Sequence, residues 1–369
     1  MEFLPSSREL DTRGRVGAGL TSPELSVLAA YAKSTLKTAL LDSELPDEPW
    51  FQGHLRAYFP TQLTRRPGDS LAMHPLRRQI VATSVVNDLV NHAGITFVFQ
   101  AVEETGATPQ DVVRAYSIAR EVFGLKDYWR EVAHLDMQVP TEVQDSLSMQ
   151  GRRIVGRAVR WLLQARRTAL DVNAELDRFA IPLAKQLDAV PDLLQGPERE
   201  LIASATCRRA EQGVPHALAA RAASLPYAFP LLHIIEIAAG TGEPVEDVAA
   251  LYYALSATFD VDPMLRRIAA LPHAARWQEL ARAELQDDLY SALNTLTADV
   301  IATTDERRAA PRIAAWEQAN APTLARTRTR LAQITATESP DLATMVVAVR
   351  TLRTTTRRVP AAPLTGPTA

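Results

Sequence analysis

The sequence contains few of the residues on which disulfides, zinc sites and basic catalysts depend. Its 369 residues include one cysteine, Cys207, so no internal disulfide can form and cysteine-rich zinc sites are excluded. Lysine occurs only four times, against 36 arginines, and arginine cannot act as a base near neutral pH. No apolar run approaches the roughly 18 to 20 residues of a membrane span, and the first residues lack the apolar core of a secretory signal. We therefore expect a cytoplasmic protein with no membrane contact.

The charge balance and the residue pattern exclude further classes of protein. A net charge of −3 gives no electrostatic reason to expect nucleic acid as the main partner, because neutralising phosphates requires a basic surface. We find no series of short alternating strands, whereas nearly every strong apolar pattern repeats with the helical period. The sequence therefore predicts an all-α fold of one or two helical bundles, with no nucleic acid partner.

The helical pattern can be followed along nearly the whole chain. The first helix has a cap-and-proline start, with Thr21 or Ser22 before Pro23 and with Glu24 in the first turn. The last ten residues, PAAPLTGPTA, are small and rich in proline, so a flexible C-terminal tail is expected. Helices are predicted over Thr21–Leu45, Pro49–Tyr58, Pro75–Thr105, Pro109–Phe123, Lys126–Met137, Thr141–Gln164, Asp171–Ala189, Pro197–Gln212, His216–Ala223, Phe229–Ala239, Val245–Ala257, Pro263–Ala270, Ala274–Thr303, Ala309–Ala336 and Pro340–Arg353.

One stretch of the sequence recurs at a constant offset of 136 residues. The segments Thr105–Leu135 and Thr241–Leu271 align without gaps, and nine of their 31 positions are identical. Each segment has a glycine that ends one helix, a turn, a helix with a Tyr and a Phe on its apolar face, and a short further helix. We therefore predict an internal duplication in which two similar helical modules bury their apolar faces, although the two halves could also share one core.

The repeat and the pattern of loops predict five parts along the chain. They are a linker over 1–20, a first helical subdomain over 21–165, a connecting helix or loop over 166–196, a second helical subdomain over 197–355 and a disordered tail over 356–369.

Candidate motifs for cofactors and metals are weak. Gly240–Gly242 begins a dinucleotide fingerprint, but no third glycine follows at the required spacing and no strand precedes it, so a helix stop explains these glycines. Asp88 and His92, four residues apart, could supply half of a metal site, although a hydrogen bond or ion pair on one helix face is the favoured interpretation. His233 lies in an apolar run and is interpreted as a hydrogen-bonded core residue.

A strip of polar residues on one predicted helix is the main candidate site. We call this strip the polar seam, and it consists of Arg77, Ser84, Asp88, Asn91 and His92. The spacing i, i+7, i+11 and i+14 places the first four within about 60° on one helix face, with the last beside them. Hydrogen bonds between helices are the favoured interpretation, because an unpaired buried polar group costs about 1 to 3 kcal/mol. The equivalent residues at the 136-residue offset are Gly213, Ala220, Ser224 and Tyr227, so a specific contact with a ligand, another domain or another subunit is the alternative.

Arginines lie along a second predicted helix, Arg152–Arg167, which also contains Trp161. A solvated or salt-bridged helix face is the favoured interpretation of this pattern. Binding of an anionic effector by the arginines is the alternative.

Several long runs of the sequence resemble a known family. They are GLTSPELSVLAAYAK (Gly19–Lys33), HPLRRQIVATSVVNDLVNHAGITFVFQAVEETGAT (His74–Thr108), RAYSIAREVFGL (Arg114–Leu125), PLLHIIEIAAGTGEPVEDVAALYYAL and RWQELARAELQDDLYSAL. These runs closely resemble the C-terminal region of the large bacterial NAD-specific glutamate dehydrogenases. The resemblance extends from about Glu2 to about Arg350.

The resemblance implies a role within a larger enzyme. In that family a catalytic portion with a nicotinamide-binding Rossmann domain oxidatively deaminates L-glutamate to 2-oxoglutarate and ammonia, and EFLPSSREL is similar to the segment that follows it. Because this chain shows no βαβ pattern and no lysine in a catalytic setting, we expect no catalytic, NAD-binding or metal-binding residue in it. NAD is the cofactor of the parent enzyme.

The leading hypothesis is that the chain is the helical C-terminal domain, or a truncated product, of such a dehydrogenase. It would serve interdomain packing, oligomer assembly or regulation, with the dehydrogenase portion or other subunits of a homo-oligomer as partners. A free-standing helical adaptor or effector-binding module is the alternative, suggested by the polar seam and the arginine-rich helix. DNA binding through the repeated helices is a third hypothesis, which the acidic charge balance and the apolar Tyr and Phe faces argue against.

Overall fold

The fold is all-α, as the sequence predicts. The computed structural model describes residues 4–60, 62, 71–165, 170–272, 276–337 and 341–355, and these contain α-helices, two short 3-10 helices, turns and loops but no strand. The chain divides into two compact units, Met1–Ala180 and Ile181–Ala369.

The first unit contains eight helices and part of a ninth among its described residues. Two 3-10 helices, Leu45–Asp47 and Pro49–Phe51, lie between α2 and α3 along the chain. The α-helices are α1 (Ser7–Arg15), α2 (Ser22–Leu41), α3 (Gln52–Tyr58), α4 (Arg77–Ala93), α5 (Phe97–Thr105), α6 (Pro109–Val122), α7 (Leu125–Ala133), α8 (Thr141–Ala165) and α9 (Val172–Leu187), the last of which contains the division between the units.

The second unit is built from the remaining described helices. They are α10 (Val190–Leu193), α11 (Pro197–Glu211), α12 (His216–Ala228), α13 (Leu231–Thr241), α14 (Val245–Thr258), α15 (Val261–Ala270), α16 (Arg276–Thr303), α17 (Ala309–Thr335) and α18 (Leu342–Arg353).

Helix α4 is the central element of the first unit. It packs against α2, α3, α6 and α8, and its apolar side chains Val81, Val85 and Leu89 are at most 2% exposed. Its Arg78 donates hydrogen bonds to the carbonyl oxygens of Leu41 (2.7 Å) and Ser43 (2.8 Å), where α2 ends. Because the last carbonyls of a helix have no partner within it, this guanidinium supplies one and ties α4 to α2.

Helix α14 has the central place in the second unit. It packs against α13, α15, α16 and α17, and Val248, Leu251 and Leu255 are fully buried along it.

No single helix of the described chain is long and apolar enough to cross a membrane. One bent pair, α12 with α13, reaches that length and composition only when its two helices are taken together.

Five consecutive helices of the first unit, α4 to α8, coincide with α12 to α16 at the 136-residue offset, and α6 and α14 coincide from end to end. Gly106 and Gly242 end equivalent helices with left-handed φ values of 71° and 76°. The threonine before each glycine donates a hydrogen bond to the carbonyl oxygen four residues earlier, at 2.6 Å for Thr105 and 2.8 Å for Thr241. The predicted helix stop is confirmed in both segments, while the duplication itself stays a prediction.

The helix predicted from Pro75 to Thr105 is two helices, so that prediction was wrong. Helix α4 ends at Ala93, Gly94 has φ 109° and ψ 163°, and α5 begins only at Phe97. A side chain at Gly94 would strain this backbone conformation, which glycine adopts readily. The apolar pattern hid the break because apolar residues continue on both sides of it.

Two further differences concern helix ends. The predicted linker over 1–20 contains α1, whose start is a capping box in which the Ser6 N–H donates to Glu9 Oε2 (2.8 Å) and the Glu9 N–H to Ser6 Oγ (3.4 Å). Helix α12 continues past its predicted end, through Pro226, to Ala228.

The predicted tail over 356–369 and the end of the arginine-rich helix, Arg166 and Arg167, lie outside the described residues. The predicted domain bounds stay a prediction.

Candidate functional site: the polar seam of helix α4

The five residues of the polar seam all lie on or beside one face of α4, but they reach different neighbours. Arg77 contacts the 3-10 helix Leu45–Asp47, Ser84 contacts α3, Asp88 contacts α6, Asn91 contacts α2, and His92 contacts Asp88 and α7. The structure brings only Asp88 and His92 into direct contact with each other. The seam therefore joins α4 to the elements around it within the first unit.

Asp88 is at the centre of the seam. Its Oδ2 accepts hydrogen bonds from the Tyr116 hydroxyl (3.1 Å) and from the guanidinium of Arg120, which is only 6% exposed. Although burial raises the pKa of Asp88, the hydrogen bond from His92 and the charge of Arg120 together hold this pKa well below its ordinary value. A half-buried carboxylate with these partners stays ionised, and the ion pair fixes α4 against α6.

Arg120 is held from three sides. Besides Asp88, it donates to Glu121 Oε1 through Nε (3.0 Å), and its guanidinium carbon lies 5.7 Å from the centre of the Trp50 ring. Asp88 and Glu121 raise the pKa of Arg120 against the opposing effect of burial. The guanidinium therefore remains charged, which a buried position allows only when counter-charges and hydrogen bonds surround it.

His92 links the seam to a stack of aromatic side chains. Its Nδ1 lies 3.2 Å from Asp88 Oδ1 and 2.9 Å from the Asp88 carbonyl oxygen, so the helix-face hydrogen bond favoured from the sequence is confirmed. Its ring stacks on the indole of Trp129 at 4.3 Å between ring centres and 15° between planes. On helix α8, Gly151 lies against the indole, since a Cβ there would come within 2.6 Å of Trp129 Nε1.

Ser84 contacts a histidine on α3. Its Oγ lies 3.2 Å from Nδ1 of His54, whose ring also stacks on Phe51 at 6.2 Å. Burial and the charge of Arg120 together lower the pKa of His54 to about 4, against the opposing effect of Asp88. His54 is therefore a neutral imidazole near neutral pH, able to share one hydrogen bond with the serine hydroxyl.

The two ends of the seam are more exposed than its centre. Arg77 pairs with Asp47 at 2.7 Å, and both side chains are about a third exposed. Asn91 Oδ1 accepts a hydrogen bond from Lys33 Nζ at 2.9 Å. Exposed contacts of this kind contribute little to stability, so the energetic weight of the seam lies around Asp88.

The sequence did not indicate the main partners of the seam. Tyr116 was noted only as an apolar-face residue of the repeat, and Arg120 was not singled out. One signal could have found them: at the 136-residue offset Asp88 becomes Ser224 and Arg120 becomes Ser256, so both charges are absent together from the second half. Two opposite charges that are both absent from the offset positions indicate a pair in contact.

The arrangement can hold helices in register, and its polar groups have partners inside the unit. On the arginine-rich helix α8, Arg152 Nε donates to the His92 carbonyl oxygen (2.9 Å) and Arg160 pairs with Glu104 (3.1 Å), as the salt-bridged interpretation predicts. Across the described residues, no group of three or more His, Cys, Asp or Glu side chains could hold a metal ion. A contact of the seam with a ligand or another subunit stays a prediction.

The comparison with protein families decides the identity of these helices. The family described as glutamate dehydrogenase, C-terminal, matches residues 17–354 of this chain. The chain belongs to this family. The matched range begins after α1 and ends just after α18, so the match includes helices of both units.

The curated relatives of this chain agree with its assignment to the family. The NAD-specific glutamate dehydrogenase of Mycobacterium tuberculosis is 39% identical over 358 residues, which is 97% of this chain and 22% of the relative. The NAD-specific glutamate dehydrogenase of Pseudomonas aeruginosa is 37% identical over 353 residues, 95% of this chain and 22% of the relative. That of Halomonas elongata is 36% identical over 317 residues. The chain thus spans about a fifth of the length of these relatives.

Proposed function

We propose that this chain acts as the C-terminal helical region of an NAD-dependent glutamate dehydrogenase. The whole enzyme would convert L-glutamate and NAD to 2-oxoglutarate, ammonia and NADH. The observation that carries the proposal is the similarity to the Mycobacterium tuberculosis enzyme, which extends over 97% of this chain at 39% identity. Because that similarity covers 22% of the relative, we assign substrate and NAD binding to the rest of the enzyme.

We further propose that the region serves interdomain packing, oligomer assembly or regulation. Helix α18 supports a packing role, because Leu342, Val346 and Val347 lie on its outer face and are 39 to 47% exposed. Their spacing of i, i+4 and i+5 makes one apolar stripe, and an exposed apolar stripe of this kind is typical of a surface that another protein segment covers. The dehydrogenase portion and other subunits are the partners that we propose for it.

The adaptor hypothesis has less support. It depended on the polar seam and on the arginines of α8, and the seam residues together with Arg152 and Arg160 have partners within the first unit. Partners already present leave these groups without a need for an external ligand.

Co-purification and an activity assay test the proposal together. The chain alone should give no glutamate-dependent formation of NADH, and from its native cells it should co-purify with a larger polypeptide whose complex does give NADH. Glutamate turnover by the chain alone, or its recovery only as a free protein, would contradict the proposal.

The packing role has its own variant and control. Val346→Glu with Val347→Glu should weaken co-purification at unchanged helical content, since it places charges on the apolar stripe. Ser291→Glu, an exposed position on α16, adds charge elsewhere in the same unit and should leave co-purification unchanged. If both variants co-purify as the parent chain does, α18 is not the packing surface.

A further inference from the structure

A groove between α17 and α18 in the second unit has an unusual lining. It has a volume of about 690 Å³, and its wall includes Thr323, Arg326, Thr327, Arg330, Gln333 and Thr351. Five of these residues lie on α17 at spacings i, i+3, i+4, i+7 and i+10, so they share one side of the helix, while its buried apolar contacts come from Leu324, Leu331 and Ile334. Here that face is polar, so the groove fits a polar occupant rather than an apolar one.

The floor of the groove is polar but internally hydrogen-bonded. Thr327 and Thr351, which line it, are each 5% exposed, and Thr355, which is not a lining residue, is 2% exposed. The Thr327 and Thr355 hydroxyls lie 3.1 Å apart, and the Thr355 hydroxyl donates to the Thr351 carbonyl oxygen at 3.0 Å. These bonds connect α17 to α18 and keep buried hydroxyls at the base of the groove without an unpaired group.

The wall of the groove carries uncompensated positive charge. Arg326 and Arg330 are four residues apart on α17, so their side chains are neighbours and repel each other. Within the described residues neither has an ion pair or hydrogen bond, and the lining includes no carboxylate. Arg328, between them in sequence, is by contrast paired with Glu317. An anion in the groove would relieve the repulsion that the described chain leaves in place.

We propose that this groove binds a small oxyanion ligand, a molecule with phosphate or carboxylate groups. Arg326 and Arg330 would each donate charge-assisted hydrogen bonds to its oxygens, and the Thr323 hydroxyl and the Gln333 amide supply further donors. The volume is in the range of sites for small molecules, which run from about 300 to 1,000 Å³. The inference does not depend on the proposed function, because binding can be measured on this chain alone.

Calorimetric titration of the full chain tests this groove. Inorganic pyrophosphate, ATP and citrate are the three probes, and they separate recognition of phosphates alone, of a nucleotide and of carboxylates. At least one probe should bind saturably, with an affinity that falls as salt is raised. In Arg326→Gln with Arg330→Gln, affinity should fall about tenfold or more, since two charge-assisted contacts are lost.

The matched control is Arg328→Gln, which removes an arginine of the same helix whose guanidinium pairs with Glu317. It should bind the same probe within about twofold of the parent chain. The arginines concerned are exposed, so circular dichroism should show all variants folded. The proposal is overturned if no probe binds, or if the double variant binds as tightly as Arg328→Gln.

Discussion

The two units share a run of five helices in the same order, but their buried polar groups lie at different positions within it. In the first unit the half-buried Asp88 forms a network with the buried Tyr116 and Arg120 between α4 and α6. At the 136-residue offset these positions are Ser224, Tyr252 and Ser256. Among the described residues, the Ser224 hydroxyl bonds only to its own helix, at the Ala220 carbonyl oxygen (2.9 Å). The helix order therefore does not require an ion pair at this place.

The second unit has a buried polar residue, His233, that the first unit lacks at the corresponding position. His233 is 9% exposed, its Nδ1 lies 2.9 Å from Asn294 Nδ2, and its ring stacks on Tyr290, which confirms the interpretation of a hydrogen-bonded core histidine. The first unit has Phe97 and Ala158 at the positions of His233 and Asn294. At these positions each unit has a buried polar cluster that the other unit replaces with smaller or apolar side chains, so these two clusters are particular to their units.

The largest expected effect comes from replacing Asp88 with the serine of the second unit. Asp88→Ser should lower the free energy of unfolding by about 3 to 4 kcal/mol, because it removes the main counter-charge of a buried guanidinium. The double variant Asp88→Ser, Arg120→Ser leaves no unpaired charge and should be destabilised less than the single variant. Urea denaturation measures both, and a double variant less stable than the single one would contradict the comparison.

The next largest effect is a pH dependence of stability that comes from His233 in the second unit. Burial lowers the pKa of His233 to about 4 from an ordinary value of 6.5, so the folded state binds fewer protons than the unfolded state between these values. The stability that neutral His233 supports is present above pH 6.5 and is lost as the pH falls to about 4, by about 3 kcal/mol.

The variant for this test replaces two residues of the second unit with the residues that the first unit has at the 136-residue offset. His233→Phe with Asn294→Ala should flatten the loss of stability between pH 6.5 and 4, as measured by urea denaturation at several pH values. His54, whose pKa is also about 4, remains in the variant and should keep its own share of the slope. An unchanged slope in the double variant would show that His233 is not the group responsible.

A smaller effect should come from Gly151, which lies against Trp129 in the first unit. At the 136-residue offset, the position of Trp129 is occupied by Leu265. Gly151→Ala should lower stability by about 1 to 3 kcal/mol, because its Cβ would lie 2.6 Å from Trp129 Nε1. Gly156→Ala is the matched control on the same helix: its Cβ would lie 4.0 Å from the Phe97 ring, so it should be neutral or stabilising by about 0.5 to 1 kcal/mol. Thermal unfolding compares them, and equal stability of the two variants would show that Trp129 adjusts freely.

The smallest effect concerns equivalent tyrosines. Tyr116→Phe should cost about 1 kcal/mol, since its hydroxyl donates to Asp88. Tyr252 is 1% exposed and its hydroxyl has no hydrogen-bond partner among the described residues, so Tyr252→Phe should be neutral or stabilising. Denaturant titration of the two variants checks the difference in sign, and equal losses would indicate that Tyr252 has a partner too.

Much of the fold could be predicted from the sequence, and the misses have local causes. Helix ends marked by proline, threonine or a stop glycine were found, as at Pro109, Gly106 and Gly242. Helix α1 was missed although Ser6 and Glu9 have capping-box spacing, because no apolar stripe follows them and no residue of α1 is buried. The break at Gly94 was missed because a single glycine inside an apolar pattern does not reveal its own backbone angles.

The candidate site, too, could be predicted only in part from the sequence. The sequence placed the five seam residues together on one helix face, because the helical period alone fixes which residues share a face. Their partners could not be derived, since they depend on how neighbouring helices are rotated and packed. Arg120 lies 32 residues from Asp88 along the chain, and nothing in the pattern of α6 shows which side faces α4.

The sequence by itself determined the helical class, the positions of most helices and the stop glycines Gly106 and Gly242, because these follow from local periodicity and backbone preference. Only the tertiary structure decided that Asp88 meets Arg120, that Gly151 admits the Trp129 indole, and that polar faces of α17 and α18 form a groove. The physical reason is that contacts between helices depend on crossing angle and axial rotation, which side chains from distant parts of the chain set together.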